Sequence, residues 1–314
     1  MDIVEEIRSR QSDIDEMILG FLPGDEKLTA TLTQAMRYSV TAGGKRIRPM
    51  LMQEVSGLFG EPCKALPYFM AAIEFIHTYS LVHDDLPAMD DDDYRRGKET
   101  THKVYGEAMG VLCGDALLNY AFEVAATSVE SETAESVAAT NDGTENASNA
   151  RIEALRAVKA LGILAGKAGG RGMIGGQVID IETEGKAIDM ETVNAIHSMK
   201  TCALIEAAMM IGAVLGGADD AAVKLCEKAG YELGMAFQIR DDILDVEGDS
   251  EVMGKPVGSD EKNDKTTFVT LVGIESANRA VKEHSESAIT IIRSLGGEGT
   301  FLERLMEYMI YRNK

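Results

Sequence analysis

The stretch KALPYFMAAIEFIHTYSLVHDDLPAMDDDD, residues 64–93, decides the fold. Apolar residues recur at Ala71, Ala72, Phe75, Ile76, Tyr79 and Val82, the three-and-four spacing of a helix, with few polar gaps. A helix apolar over so much of its circumference is expected inside a bundle rather than on its rim. It ends in acid: six aspartates fall between Asp84 and Asp93, and Arg95 and Arg96 follow. Carboxylates this close disfavour one another's charged form, so they suit either open solvent or a multivalent cation.

Working outward, the other long segments repeat the helical period. Residues 2–20, 28–42, 47–59, 107–128, 150–167, 191–215, 219–245 and 275–294 are expected as helices beside 64–84, and no alternating β-branched run stands out. The expected fold is all-α, a single-domain helical bundle spanning residues 1–314. Residues 128–150, SVESETAESVAATNDGTENASNA, are poor in large apolar side chains. They read as a mobile acidic loop or a poorly packed helix extension, not as a domain boundary.

Composition narrows the function. A net charge of −21 disfavours a nucleic-acid or anionic-membrane partner, although a small anion needs only local positive charge. Cys63, Cys113, Cys202 and Cys226 are far apart and form no CxxC pair, which fits reduced thiols in a cytoplasmic protein. No signal pattern opens the chain and no apolar run is expected to reach transmembrane length. The Asn146–Ser148 sequon is therefore read as chance.

A second acidic site lies in FQIRDDILDVEGD, residues 237–249, where Asp241 and Asp245 leave one helical face a turn apart. In the first site Asp84 and Asp90 are six apart, a spacing no regular helix brings to one face. Pro87 between them must end, kink or bulge the helix, and that distortion can return Asp90 to Asp84. Oxygen ligands without His or Cys suit Mg2+. The cations form the complementary half. GGKRIRP, residues 43–49, sets basic residues behind a glycine pair at a helix start, a reasonable anion site although not a P-loop. Arg95, Arg96, Lys200, Thr201, Lys255 and Lys265 are further candidates for a ligand that is both anionic and metal-bearing.

HDDLPAMDDDDYRRG and FQIRDDILD resemble the first and second aspartate-rich motifs of the trans-isoprenyl diphosphate synthases. GGKRIRPML, GGQVIDIE and GKPVGSDEKNDKTT resemble that family's other signatures, in its order. The likeness covers the chain except 128–150. The DDxxxxD spacing resembles the bacterial short-chain branch. The resemblance implies a homodimer of helical bundles, each with a deep central cavity and two or three Mg2+ ions. The implied reaction joins isopentenyl diphosphate to dimethylallyl and then geranyl diphosphate.

By the same resemblance, Lys45, Arg48, His77 and Arg96 hold isopentenyl diphosphate. Asp84, Asp85 and Asp90, with Asp241, Asp242 and Asp245, hold Mg2+ against the allylic diphosphate. Arg95, Lys200, Lys255 and Lys265 face that diphosphate, and Thr201 and Gln238 line the reacting carbon. Arg312 and Lys314 match less closely. Tyr79, five positions before Asp84 and so roughly 7 to 8 Å up the helix axis, is the expected floor of the chain-length cavity, with small Ser80 beside it. An aromatic there accompanies a fifteen-carbon product in the family. The alternatives are a synthase of twenty carbons or another length, a non-catalytic subunit, and a terpene cyclase, for which the second set of cations would be superfluous.

Overall fold

A computed structural model describes residues 2–24, 27–139, 145–247 and 266–311, with the backbone alone described for 132–139 and 145–148. Its contacts group into two compact units: Met1–Gln53 with Pro62–Leu161, and Glu54–Glu61 with Gly162–Lys314.

In the first unit, α1 (Ile3–Phe21), α2 (Ala30–Val40) and the start of α3 (Ile47–Gly57) precede α4 (Leu66–Asp84). The apolar stretch behaves as its composition requires. Pro67 occupies the first turn, where its missing N–H costs nothing. Twelve residues from Leu66 to Val82 are buried, on every side of the helix. Helix α4 packs along α6 (Glu107–Ala139) and against α1 and α2. Glu74 carries its carboxylate into this core, and Arg46 meets it at 2.8 Å. Arg46 also donates to Asp15 Oδ1 and to the Val40 carbonyl, each at 2.6 Å. Three acceptors hold it at a φ of 50°, a conformation non-glycine residues rarely adopt.

After α4 the chain makes a two-residue-per-strand hairpin, β1 (Tyr94–Arg95) and β2 (Lys98–Glu99), then α5 (Thr101–Tyr105) and α6. No strand pattern is legible in the sequence because the ladder is this short. The turn residues Arg96 and Gly97 both have positive φ, 52° and 76°, as a tight hairpin turn requires. Helix α6 continues to Ala139 and α7 (Glu145–Ala168) starts at Glu145. Where described, then, the 128–150 segment is helix extension rather than loop: its alanines and glutamates favour helix more than its serines and threonines oppose it. Ser128 even turns its hydroxyl inward, to the Ala125 carbonyl at 2.7 Å.

The second unit contains α8 (Met173–Thr183), α9 (Met190–Ile196), a π-helical turn (His197–Cys202), α10 (Ala203–Gly216) and α11 (Asp220–Glu247). Then come α12 (Phe268–Val272), α13 (Ile274–Ile292), a wide turn Arg293–Gly297 and α14 (Phe301–Tyr311). Helix α10 is its centre, with all but one of its residues buried. Helix α11 lies between α10 and α13. It approaches closely because Gly230 and Gly234 stand where any Cβ would press on Glu206 and Cys202. Gly217, at a φ of 96°, terminates α10 in the left-handed conformation.

The nine expected helices are present. The structure adds α5, α8, α12 and α14, which are short or, for α8, opened by a glycine pair that masks the pattern. It also corrects the reading that no apolar run reaches membrane length, since Glu107–Ser131 and Met190–Gly216 do so by length and composition. Met190–Gly216 is 78% buried within the protein, as a core helix is, whereas Glu107–Ser131 is 39% buried.

Candidate active site

Helix α4 delivers the first acidic motif. It ends at Asp84, and Pro87 prevents continuation. The chain then curls so that the Asp90 amide donates to the Asp84 carbonyl at 2.9 Å, the return that a break at the proline allows. Asp84 and Asp90 lie toward the surface, but Asp85 is 4% exposed and turns inward. Arg95 meets it, with Nε and Nη2 each 2.6 Å from Asp85 Oδ1 and Nη2 a further 3.6 Å from Asp92. Burial pushes the Asp85 carboxyl upward and the guanidinium pulls it back. Burial also opposes the charge on Arg95, and Asp85, with Asp92 and Asp84, more than restores it.

The hairpin assigns the two adjacent arginines to different places. Arg95 lies in the strand and reaches Asp85. Arg96 lies in the turn, and its Nη1 donates to the Gly43 carbonyl beside the GGKRIRP segment. Gly44, at a φ of 139°, leaves room for that guanidinium: a Cβ there would stand 3.1 Å from Arg96 Cζ. Arg96 thereby joins Arg48 and His77. Burial lowers the pKa of Arg48, against a favourable Glu74, and Arg96 lowers it further. Burial holds His77 well below the ordinary imidazole range, with Arg48 and then Arg96 next in influence, so the ring is neutral at pH 7. The Arg48 Nε is buried with no hydrogen-bond partner. Lys45 is exposed. Three of the four residues expected to hold one diphosphate therefore form one electrostatic cluster, and Glu74, the acid that most favours the charge of its two arginines, is already engaged by Arg46.

In the second unit the π-helical turn carries Lys200 and Thr201. The extra residue in such a turn widens the helix, a distortion common at functional sites. Lys200 Nζ meets Asp180 Oδ2 at 2.6 Å. Thr201 Oγ1 donates to Gln238 Oε1 at 2.8 Å, so the two residues expected to line the reacting carbon are joined. Gln238 Nε2 continues to Asp242 Oδ1 at 3.3 Å, and Asp242 Oδ2 accepts the Phe268 amide at 3.1 Å. His197 Nε2 lies 3.5 Å from the same oxygen. Asp242 is 6% exposed, whereas Asp241 and Asp245 are half-buried. Both acidic motifs thus share one pattern: the second aspartate of the pair is internal and committed to protein donors.

The GGQVIDIE motif finds its physical reason here. A Cβ on Gly176 would stand 2.7 Å from the Met199 carbonyl carbon and 2.8 Å from Lys200 Cα, so glycine is what lets α8 lie on the π turn. One helical turn further, Asp180 reaches Lys200. Sequence reasoning missed Asp180; its place four residues after Gly176 was the available signal. It also passed over Asp91, Asp93 and His102, whose ligand atoms lie within 4.8 Å of one another. Lys103 already pairs with Asp93 there at 2.6 Å. Tyr79 and Ser80 sit one turn before the first motif, with Tyr79 5% exposed and its hydroxyl buried without a partner. Burial, with Asp84 adding to it, pushes that phenol up to about 12. Lys255, Lys265, Arg312 and Lys314 lie outside the described residues.

Comparison with known proteins follows the same lines. Residues 29–294 match the family model described as polyprenyl synthetase. The chain is 42% identical over 285 residues to a farnesyl diphosphate synthase of Geobacillus stearothermophilus, covering 90% of this chain and 89% of that one. It is 40% identical over 282 residues to a chloroplastic geranylgeranyl pyrophosphate synthase of Catharanthus roseus, covering 89% of this chain and 73% of that one. The crystal structure of a Helicobacter pylori geranyltransferase, complexed with magnesium and isoprenyl diphosphate, superimposes with a TM-score of 0.78 at 29% identity. The likeness spans 99% of this chain and 97% of that one.

Proposed function

Since the chain belongs to the polyprenyl synthetase family, we propose that it is a magnesium-dependent farnesyl diphosphate synthase, condensing isopentenyl diphosphate with dimethylallyl and then geranyl diphosphate. The match runs across both compact units, which supports reading them as one catalytic domain. The observation that carries the proposal is the Arg48, His77 and Arg96 cluster. A protein of net charge −21 gathers these groups where burial disfavours their charge and they disfavour one another's. A dense anion relieves both penalties, and a diphosphate is such an anion.

The acidic motifs fit Mg2+ through their donor set, carboxylate oxygens on solvent-accessible residues. Asp84, Asp90, Asp241 and Asp245 would hold it, and Asp85 and Asp242 would brace the motifs from within. Bound there, Mg2+ supplies Lewis-acid stabilisation to a departing diphosphate. This chain's own cations do the complementary work. Arg95 and Lys200, with Lys255 and Lys265, orient the allylic diphosphate, and each of the first two is itself oriented by a carboxylate partner. The Thr201–Gln238 pair presents oxygen dipoles to developing positive charge without a strong nucleophile. His77, neutral at pH 7 in the ligand-free protein, offers a ring N–H to the second diphosphate.

Relatives of similar identity make different product lengths, so length rests on Tyr79, whose buried ring favours the fifteen-carbon product. Val111 and Leu112, both exposed on α6, support a homodimer that covers them. The test is incubation of purified protein with Mg2+ and the two five-carbon diphosphates, followed by chromatography of the dephosphorylated alcohols. Farnesol as main product is expected. Geranylgeraniol would move the assignment to the longer-chain branch, and no condensation product, or one insensitive to EDTA, would end it.

A further inference from the structure

The wall behind Tyr79 is a second residue held in place by a glycine. His83 follows Tyr79 by one turn of α4, and the two rings meet edge to face, with centroids 5.8 Å apart and planes at 81°. His83 Nε2 lies 3.1 Å from the Val111 carbonyl of α6. A carbonyl only accepts, so Nε2 carries the proton and the imidazole is tied to α6 in one orientation. The seat for that ring is Gly114. A Cβ there would fall 2.8 Å from His83 Cε1 and closer still to Cδ2 and Nε2. Nothing larger than hydrogen fits without expelling the ring.

Tyr79 itself makes no polar contact that would fix it, since its hydroxyl is buried and unpartnered. Its position is set by packing, and one ring it packs on, His83, is anchored to α6. We propose that His83, seated on Gly114 and tied to the Val111 carbonyl, is a positioning residue that sets product length by bracing Tyr79 against the growing prenyl chain. The inference rests on the prenyl synthase reading and deepens it: the floor is not one aromatic but an edge-to-face pair of rings whose foundation is a glycine on the neighbouring helix.

The experiment compares alcohol product ratios for wild type, His83→Ala, Gly114→Ala, the double variant and His83→Gln. Removing the brace should raise the twenty-to-fifteen-carbon ratio by about tenfold or more, the discrimination typical of a lost apolar contact in a pocket. Gly114→Ala should do the same by displacing the ring, and the double variant should match His83→Ala alone, because both act through one contact. His83→Gln, whose amide can still donate to Val111, should restore the fifteen-carbon product. A residue that only stabilised the fold would lower total yield and leave the ratio unchanged. A wild-type ratio in His83→Ala overturns the proposal whether or not Gly114→Ala folds. So does a double variant whose effect is the product of two independent ones. If the wild type itself makes no prenyl alcohol, the enzyme assignment fails first and this inference with it.

Discussion

Arg95 closes on Asp85 through two nitrogens, each 2.6 Å from a single carboxylate oxygen. The contact fastens the hairpin to the end of α4 and fixes where the cations stand relative to the acids. Asp85→Ala should therefore damage stability as well as turnover. It leaves a largely buried guanidinium without its partner, a change that costs about 3 kcal/mol in comparable pairs. Urea denaturation should show a lower midpoint at an unchanged slope. Asp85→Asn, which keeps one acceptor, should lose less. A wild-type midpoint for Asp85→Ala would show that the pair does not hold the hairpin.

Gly176 carries the second prediction. Its missing side chain lets α8 touch the backbone of Lys200, and Asp180 reaches the lysine from the same helix. Gly176→Ala must separate the two elements, and overpacking of this kind costs about 1 to 3 kcal/mol. The same displacement should weaken the Lys200–Asp180 pair and lower kcat. Thermal unfolding together with initial rates would check both; a variant as active and as stable as wild type would mean that α8 can shift freely.

Those two sites show how far the sequence reaches. The helix period located α4, α10 and α11, and Pro87 told that the helix must break before Asp90 and could return it to Asp84, because such features act within a few residues of chain. The commitment of Asp85 to Arg95 was not legible, since it depends on a hairpin turn at Arg96 and Gly97 with too few residues to leave a strand pattern. The π-helical turn at Lys200 was hidden because its local sequence reads as continuous helix. Its cause lies in tertiary packing against Gly176, a residue whose significance only the neighbouring helix reveals. Arg46 and Arg48 look alike in the motif, yet one is a buried brace on Glu74 and the other faces His77; the difference follows from which acceptors the fold brings near.

His77 gives the protein a titration signature. Its folded-state pKa lies below the unfolded value near 6.5, through burial and then Arg48 and Arg96. Between those two values the unfolded chain binds the proton and the folded one does not, so stability rises with pH there. The contribution is intact above about pH 6.5 and is lost as pH falls through the folded value. His77→Asn cannot titrate. Wild type should therefore lose more thermal stability than His77→Asn between pH 7.5 and 5.5, by differential scanning calorimetry without ligand. Adding pyrophosphate should shrink the difference, because an anion at the cluster favours the protonated ring. Parallel stability curves for the two proteins would remove His77 from the cationic cluster.

Tyr79 separates ring from hydroxyl. The ring is buried on α4 and rests on His83, whereas the hydroxyl is buried with no partner, an arrangement that disfavours the folded state by about 1 to 3 kcal/mol. Tyr79→Phe removes the penalty and keeps the ring, so it should raise the unfolding midpoint or leave it unchanged while the product stays at fifteen carbons. Tyr79→Ala removes both. It opens a cavity, which should cost about 3 kcal/mol or more, and it takes away the floor, which should extend the product to twenty carbons and beyond. Chromatography of the alcohols from the two variants, beside their thermal midpoints, tests the division. If Tyr79→Phe lengthens the product as Tyr79→Ala does, the hydroxyl rather than the ring stops the chain, most simply by holding a water at the floor. If neither variant changes the product, the chain stops elsewhere.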